Sequence, residues 1–119
     1  MKAYYAGDRQ YREITEYGSD GTFLAPFLEI KSGAQLNWIV FDPGGTVGDH
    51  QAASPQLMIV LSGEGWARGE GVEPLDIEQG DVVFWDAGEW HESGSEQGMT
   101  VLVIESQVPD PTAFRSYHR

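Results

Sequence analysis

The chain has no cysteine at all, which removes disulfides, thiolate metal ligands and cysteine nucleophiles from consideration. Basic residues are scarce. Seven Lys plus Arg stand against 19 Asp plus Glu, for a formal net charge of -12. A nucleic-acid binder neutralises phosphates with Lys and Arg, and an anionic membrane surface attracts the same residues, so neither partner is expected. Apolar runs are short. None approaches the roughly 18 residues that span a bilayer, and the opening Met1-Lys2-Ala3-Tyr4-Tyr5-Ala6-Gly7-Asp8 turns charged before a signal-peptide core could form. A cytoplasmic protein is the expectation. Helical periodicity is missing too, so parallel βαβ units with helical crossovers are not expected.

What is present is glycine, 15 residues of 119, and a series of short runs rich in β-branched and aromatic side chains. The glycines follow no collagen-like period and read as turns. Strands are expected at Phe23–Ile30, Leu36–Phe41, Gln56–Leu61, Trp66–Arg68, Leu75–Ile77, Val82–Trp85, Glu89–Glu92 and Met99–Glu105, with a further one near Ala3–Tyr5. Clusters such as Asp42-Pro43-Gly44-Gly45, Ser62-Gly63-Glu64-Gly65 and Asp86-Ala87-Gly88 are expected to close them. Pro109 and Pro111 end regular pairing, and residues from Thr112 are expected as a tail or short helix. About eight strands at such spacing predict an all-β sandwich or barrel. The length suits one domain, residues 1–119, with its core over roughly 23–106.

Of the three histidines, His118 lies in the tail, whereas His50 and His91 sit beside Gly-rich turns at strand ends. Their surroundings carry a spaced pattern. From Gly44, five residues precede His50, one precedes Ala52, three precede Gln56 and six precede Gly63. From Gly80, five residues precede Asp86, one precedes Gly88, two precede His91 and three precede Ser95. The first series resembles the cupin motif G-x5-H-x-H-x3,4-E-x6-G, and the second resembles its partner G-x5-P-x-G-x2-H-x3-N. The resemblance extends over roughly residues 35–105. It implies a cupin double-stranded β-helix, the jelly roll of small bacterial RmlC-like proteins. It also implies one divalent metal inside the barrel, held at the positions of His50, Gln56 and His91.

The chain departs from that pattern at two ligand positions. Ala52 stands where the family has its second His, and Gln56 offers a neutral amide oxygen where the family has Glu. Iron, manganese, nickel or zinc are the ions such a set implies, held less firmly without a carboxylate. Asp49 should point to the opposite face from His50, and Glu89 should share the face of His91 as a substitute ligand. Gln56, Met58 and Val60 should line one cavity by alternation. Trp38, Trp66, Trp85 and Trp90 are expected in the core or on a homodimer face.

Two functions follow from the resemblance. One is a metal-dependent dioxygenase- or isomerase-like enzyme acting on a small molecule. The other is a non-catalytic small-molecule-binding cupin whose metal site is degenerate or absent. No dinucleotide, phosphate-loop or G-x-S-x-G signature is present.

Overall fold

The computed structural model describes residues 1–4, 10–30 and 33–107, apart from the side chain of Glu29. His118 and the expected C-terminal tail lie outside the described residues, as does part of the expected strand near Ala3–Tyr5; no strand is assigned at residues 1–4.

Among the described residues eight strands run in chain order: β1 (Arg12–Glu13), β2 (Asp20–Ile30), β3 (Ala34–Gln51), β4 (Gln56–Arg68), β5 (Leu75–Glu78), β6 (Val82–Trp85), β7 (Trp90–Ser95) and β8 (Met99–Ser106). A single 3-10 turn, Glu16–Gly18, separates β1 from β2. All described pairings are antiparallel. Among the described residues no helix is long and apolar enough to cross a membrane.

The two longest strands make the barrel. The first half of β3 pairs with β2 and β8, and its second half, from Gly45, pairs with β7. The first half of β4 pairs with β6 and β8, and its second half pairs with β5 and β7. Each therefore leaves one sheet and enters the other, and the two sheets face each other across one interior. This corrects the expected strand ends. Asp42-Pro43-Gly44-Gly45 and Ser62-Gly63-Glu64-Gly65 are corners inside continuous strands, not terminations. Gly44 (φ 82°) and Gly63 (φ 80°) supply the left-handed backbone conformation at the two corners. β7 likewise runs past the expected strand end at Glu92 to Ser95.

Alternation decides what faces inward. Along β8, Met99, Val101 and Val103 are buried, with Val101 fully so. Ile39 and Phe41 of β3, Met58 and Val60 of β4, and Trp85 of β6 join them in one apolar cluster. Trp85 is the Trp that becomes a core residue. Trp38 and Trp66 are half-buried, and Trp90 is exposed.

Candidate functional site

The antiparallel register of β3 and β7 sets His50 directly opposite His91. A register shift between Val47 and His50 marks a bulge just before this pair, a common device for re-aiming a side chain. The two ring centroids are 4.2 Å apart, with the planes tilted by 50°. Each Nδ1 lies against a backbone carbonyl two residues upstream: Gly48 O at 2.8 Å for His50 and Glu89 O at 3.3 Å for His91. With Nδ1–H donating there, Nε2 of each ring keeps its lone pair, which is the tautomer metal-ligating histidines adopt.

Both rings are held from behind. The Tyr17 ring stacks on His50 at 4.0 Å and 4°. Tyr17 sits in the 3-10 turn with φ 63°, a conformation that a bulky side chain seldom adopts. Its carbonyl lies over Gly48, where any Cβ would collide with it, and the Gly48 N–H donates to Ser19 Oγ at 3.1 Å. On the other side, the indole of Trp85 packs on His91 with centroids 4.5 Å apart. Ala52 is buried, and its backbone braces the turn before His91. Its N–H donates to Glu89 O at 2.9 Å, and its carbonyl accepts from Gly88 N–H at 2.7 Å.

His50, His91 and Gln56 all line one cavity of about 380 Å³, a size suited to a small organic molecule. Met58 lines it as expected, but Val60 falls in the apolar cluster behind. Asp49 points outward, within 3.4 Å of Arg68, which also pairs with Glu92 at 2.9 Å. Glu89 does not line this cavity. Its carboxylate accepts from the Asp86 N–H at 3.1 Å and so closes the turn. Among the described residues no three His, Cys, Asp or Glu side chains gather as a metal-holding group.

The cavity also holds residues that the motifs did not single out: Tyr17, Asn37, Trp85 and Glu105. Glu105 is the direct cross-strand neighbour of both Gln35 and Gln56. It could have been found by extending the inward row Met99, Val101, Val103 by two more residues. The same alternation, run backwards from Phe41 and Ile39, reaches Asn37. Tyr17 belongs to a turn and left no periodic signal.

Burial shapes the electrostatics. His91 is lowered to about 4, first by desolvation and then by the neighbouring charge of His50, against smaller opposing effects of the Glu89 carbonyl and Asp49. Its ring is therefore neutral at pH 7, with a lone pair free for a metal or a proton. Burial raises Glu105 above the ordinary carboxyl value, with His50 opposing. Two neutral imidazole nitrogens and an amide oxygen suit a borderline divalent ion such as zinc, iron or nickel, and lend it no compensating charge. The donor set fits such an ion, and Ala52, which offers no donor atom, is buried and does not line the cavity.

The sequence matches the Cupin domain family over residues 37–105. It is 35% identical over 91 residues to the (R)-mandelonitrile lyase of Granulicella tundricola, covering 75% of this chain and 67% of that protein. Two solved structures share the fold. One is a protein of Thermotoga maritima titled an oxalate decarboxylase by prediction, with TM-score 0.78, 22% identity, and coverage of 90% of this chain and 100% of that one. The other is the polyketide cyclase RemF of Streptomyces resistomycificus, with TM-score 0.77, 19% identity, and coverage of 91% and 80%.

Proposed function

This chain belongs to the Cupin domain family, and from that premise we propose that its barrel binds a small molecule beside one divalent metal ion held by His50, His91 and Gln56. The observation that carries this reading is the facing pair of imidazoles, each oriented through Nδ1 by a backbone carbonyl and each lining the same cavity. When bound, such an ion would polarise a hydroxyl or carbonyl oxygen of the ligand as a Lewis acid. The protein's own part is orientation and exclusion of water. Tyr17 and Trp85 fix the rings, and the apolar wall of Ile39, Met58 and Val103 receives the body of the ligand.

Among reactions, carbon–carbon lyase chemistry on an α-hydroxynitrile is the first to try, because the 35% identical relative is named for it. It is tried before the dioxygenase- or isomerase-like chemistry that the cupin resemblance implies. Elemental analysis of protein purified from metal-supplemented culture tests the metal. About one ion per chain is expected, with its loss in His50→Ala and His91→Ala. Wild-type protein that neither retains nor takes up manganese, iron(II), nickel or zinc refutes the site. Release of hydrogen cyanide from (R)-mandelonitrile, dependent on that ion, tests the reaction.

The second reading is a binding cupin without catalysis. It is favoured by Ala52 at a family ligand position and by the lack of any carboxylate grouped with both imidazoles among the described residues. It expects thermal stabilisation by a small molecule with no product formed. The resemblance also carries a homodimer, which light scattering at micromolar concentration tests.

A further inference from the structure

The cavity that His50 and His91 line also carries a polar group with no partner. Asn37 belongs to the inward row of β3 that continues through Ile39 and Phe41, and it pairs in register with Pro26 of β2 and Val103 of β8. It is only 7% exposed, and it lines the cavity. Among the described residues, its Oδ1 is the buried side-chain oxygen or nitrogen that lacks a hydrogen-bond partner. Ile39 beside it and Val103 on the neighbouring strand are apolar and offer no donor, and the amides of Gln35 and Gln56, which line the same cavity, make no bond to it. Arg12, the cationic residue that lines the cavity, is exposed at its rim and turned to Glu16 at 3.2 Å.

A buried amide oxygen in apolar surroundings is costly until a donor reaches it. Replacing the amide by a hydrocarbon of the same shape would remove that cost. The broad χ2 torsion of Asn allows the amide to turn toward the cavity with little strain. What is missing is an O–H or N–H on a molecule whose remainder suits Ile39, Met58, Val103 and Trp85. A neutral hydroxyl meets that need, whereas an ammonium would be stripped of water against the same apolar wall.

Building on the small-molecule reading above, we infer that Asn37 determines specificity, accepting a hydrogen bond from a hydroxyl group, so that the ligand is a small apolar molecule bearing a neutral hydroxyl. The inference does not depend on the metal, since Asn37 is not among its proposed ligands.

The test uses matched probes that differ by one hydroxyl: benzyl alcohol against toluene, and 1-phenylethanol against ethylbenzene. Affinities are read by amide NMR titration of the wild type, Asn37→Leu and Asn37→Ser, each with added zinc and with chelator. The wild type should bind each hydroxylated probe about tenfold more tightly than its partner, the effect of one well-placed hydrogen bond. Asn37→Leu should lose that preference while melting no lower than wild type, and Asn37→Ser should keep part of it. Should Asn37→Leu fail to fold, Asn37→Ser carries the comparison and must show a reduced preference. Equal binding of the paired probes by the wild type, or binding of neither, overturns the inference. So does a preference that survives intact in Asn37→Leu. A preference that disappears with chelator yet persists in Asn37→Leu assigns the hydroxyl to the metal, which supports the metal reading and sinks this one. A preference lost in Asn37→Leu and indifferent to chelator supports it even where no metal binds.

Discussion

His91 makes the stability of the metal-free protein depend on pH in a calculable way. In the unfolded chain its imidazole titrates near 6.5, and in the folded chain near 4, because burial and the charge of His50 penalise the protonated ring. Above pH 6.5 the ring is neutral in both states. Between pH 6.5 and 4 the unfolded chain takes up a proton that the folded chain refuses, so stability falls as the pH falls. A shift of this size corresponds to about 3 kcal/mol over the whole window, of which about 2 kcal/mol is lost by pH 4.5. Glu105 works in the opposite sense. Its raised value means that the folded chain keeps a proton which the unfolded carboxyl has shed above 4.5, so its contribution weakens folding as the pH rises. The His91 share is isolated by comparison with His91→Asn, since Glu105 titrates in both proteins. Urea unfolding followed by tryptophan fluorescence, in chelator at pH 7 and 4.5, should show the wild type losing about 2 kcal/mol more than the variant. The variant will be less stable at both pH values through lost packing on Trp85, so the change in the gap is the readout. Parallel pH dependences in the two proteins would show that His91 is not desolvated, and with it the enclosed geometry of the pair would fall.

Glu105→Gln should cost little stability at pH 7 or raise it, because a neutral amide of similar shape replaces a carboxyl that burial already disfavours in its charged form; the same urea titration checks this. Met58→Ala removes a side chain that is 2% exposed in the apolar cluster and should cost about 2–5 kcal/mol. Gly48→Ala forces a methyl group into the Tyr17 carbonyl and should cost about 1–3 kcal/mol, with the His50 ring protons moving in NMR as the stacked tyrosine is displaced. Tyr17→Ala should move the same protons at a smaller cost of about 0.5–1.5 kcal/mol, since the tyrosine is largely exposed.

Much of the site was legible because it repeats a spacing. Gly44, His50, Gln56 and Gly63, then Gly80, Gly88 and His91, keep the intervals of the two cupin motifs, and the two histidines do meet across β3 and β7. The outward placing of Asp49 followed from simple alternation. Glu89 did not behave as alternation suggested, because β7 begins only at Trp90 and Glu89 belongs to the turn it closes. The corners at Pro43-Gly44-Gly45 and Gly63-Glu64-Gly65 read as strand ends, since turn residues look alike whether a chain reverses or only crosses between sheets.

By itself, the sequence determined an all-β fold, the alternation along its strands and the intervals that set off two imidazoles, because these follow from periods and spacings along one chain; the choice of a barrel over a sandwich came from the cupin resemblance. Tertiary structure alone decided that Tyr17 would cover His50, that Trp85 would pack on His91, and that one cavity would gather Asn37 and Glu105 with both imidazoles. Those relations join residues from separate strands and a turn. They are set by cross-strand register and by how tightly the sheets close, and such quantities exist only once the chain has folded.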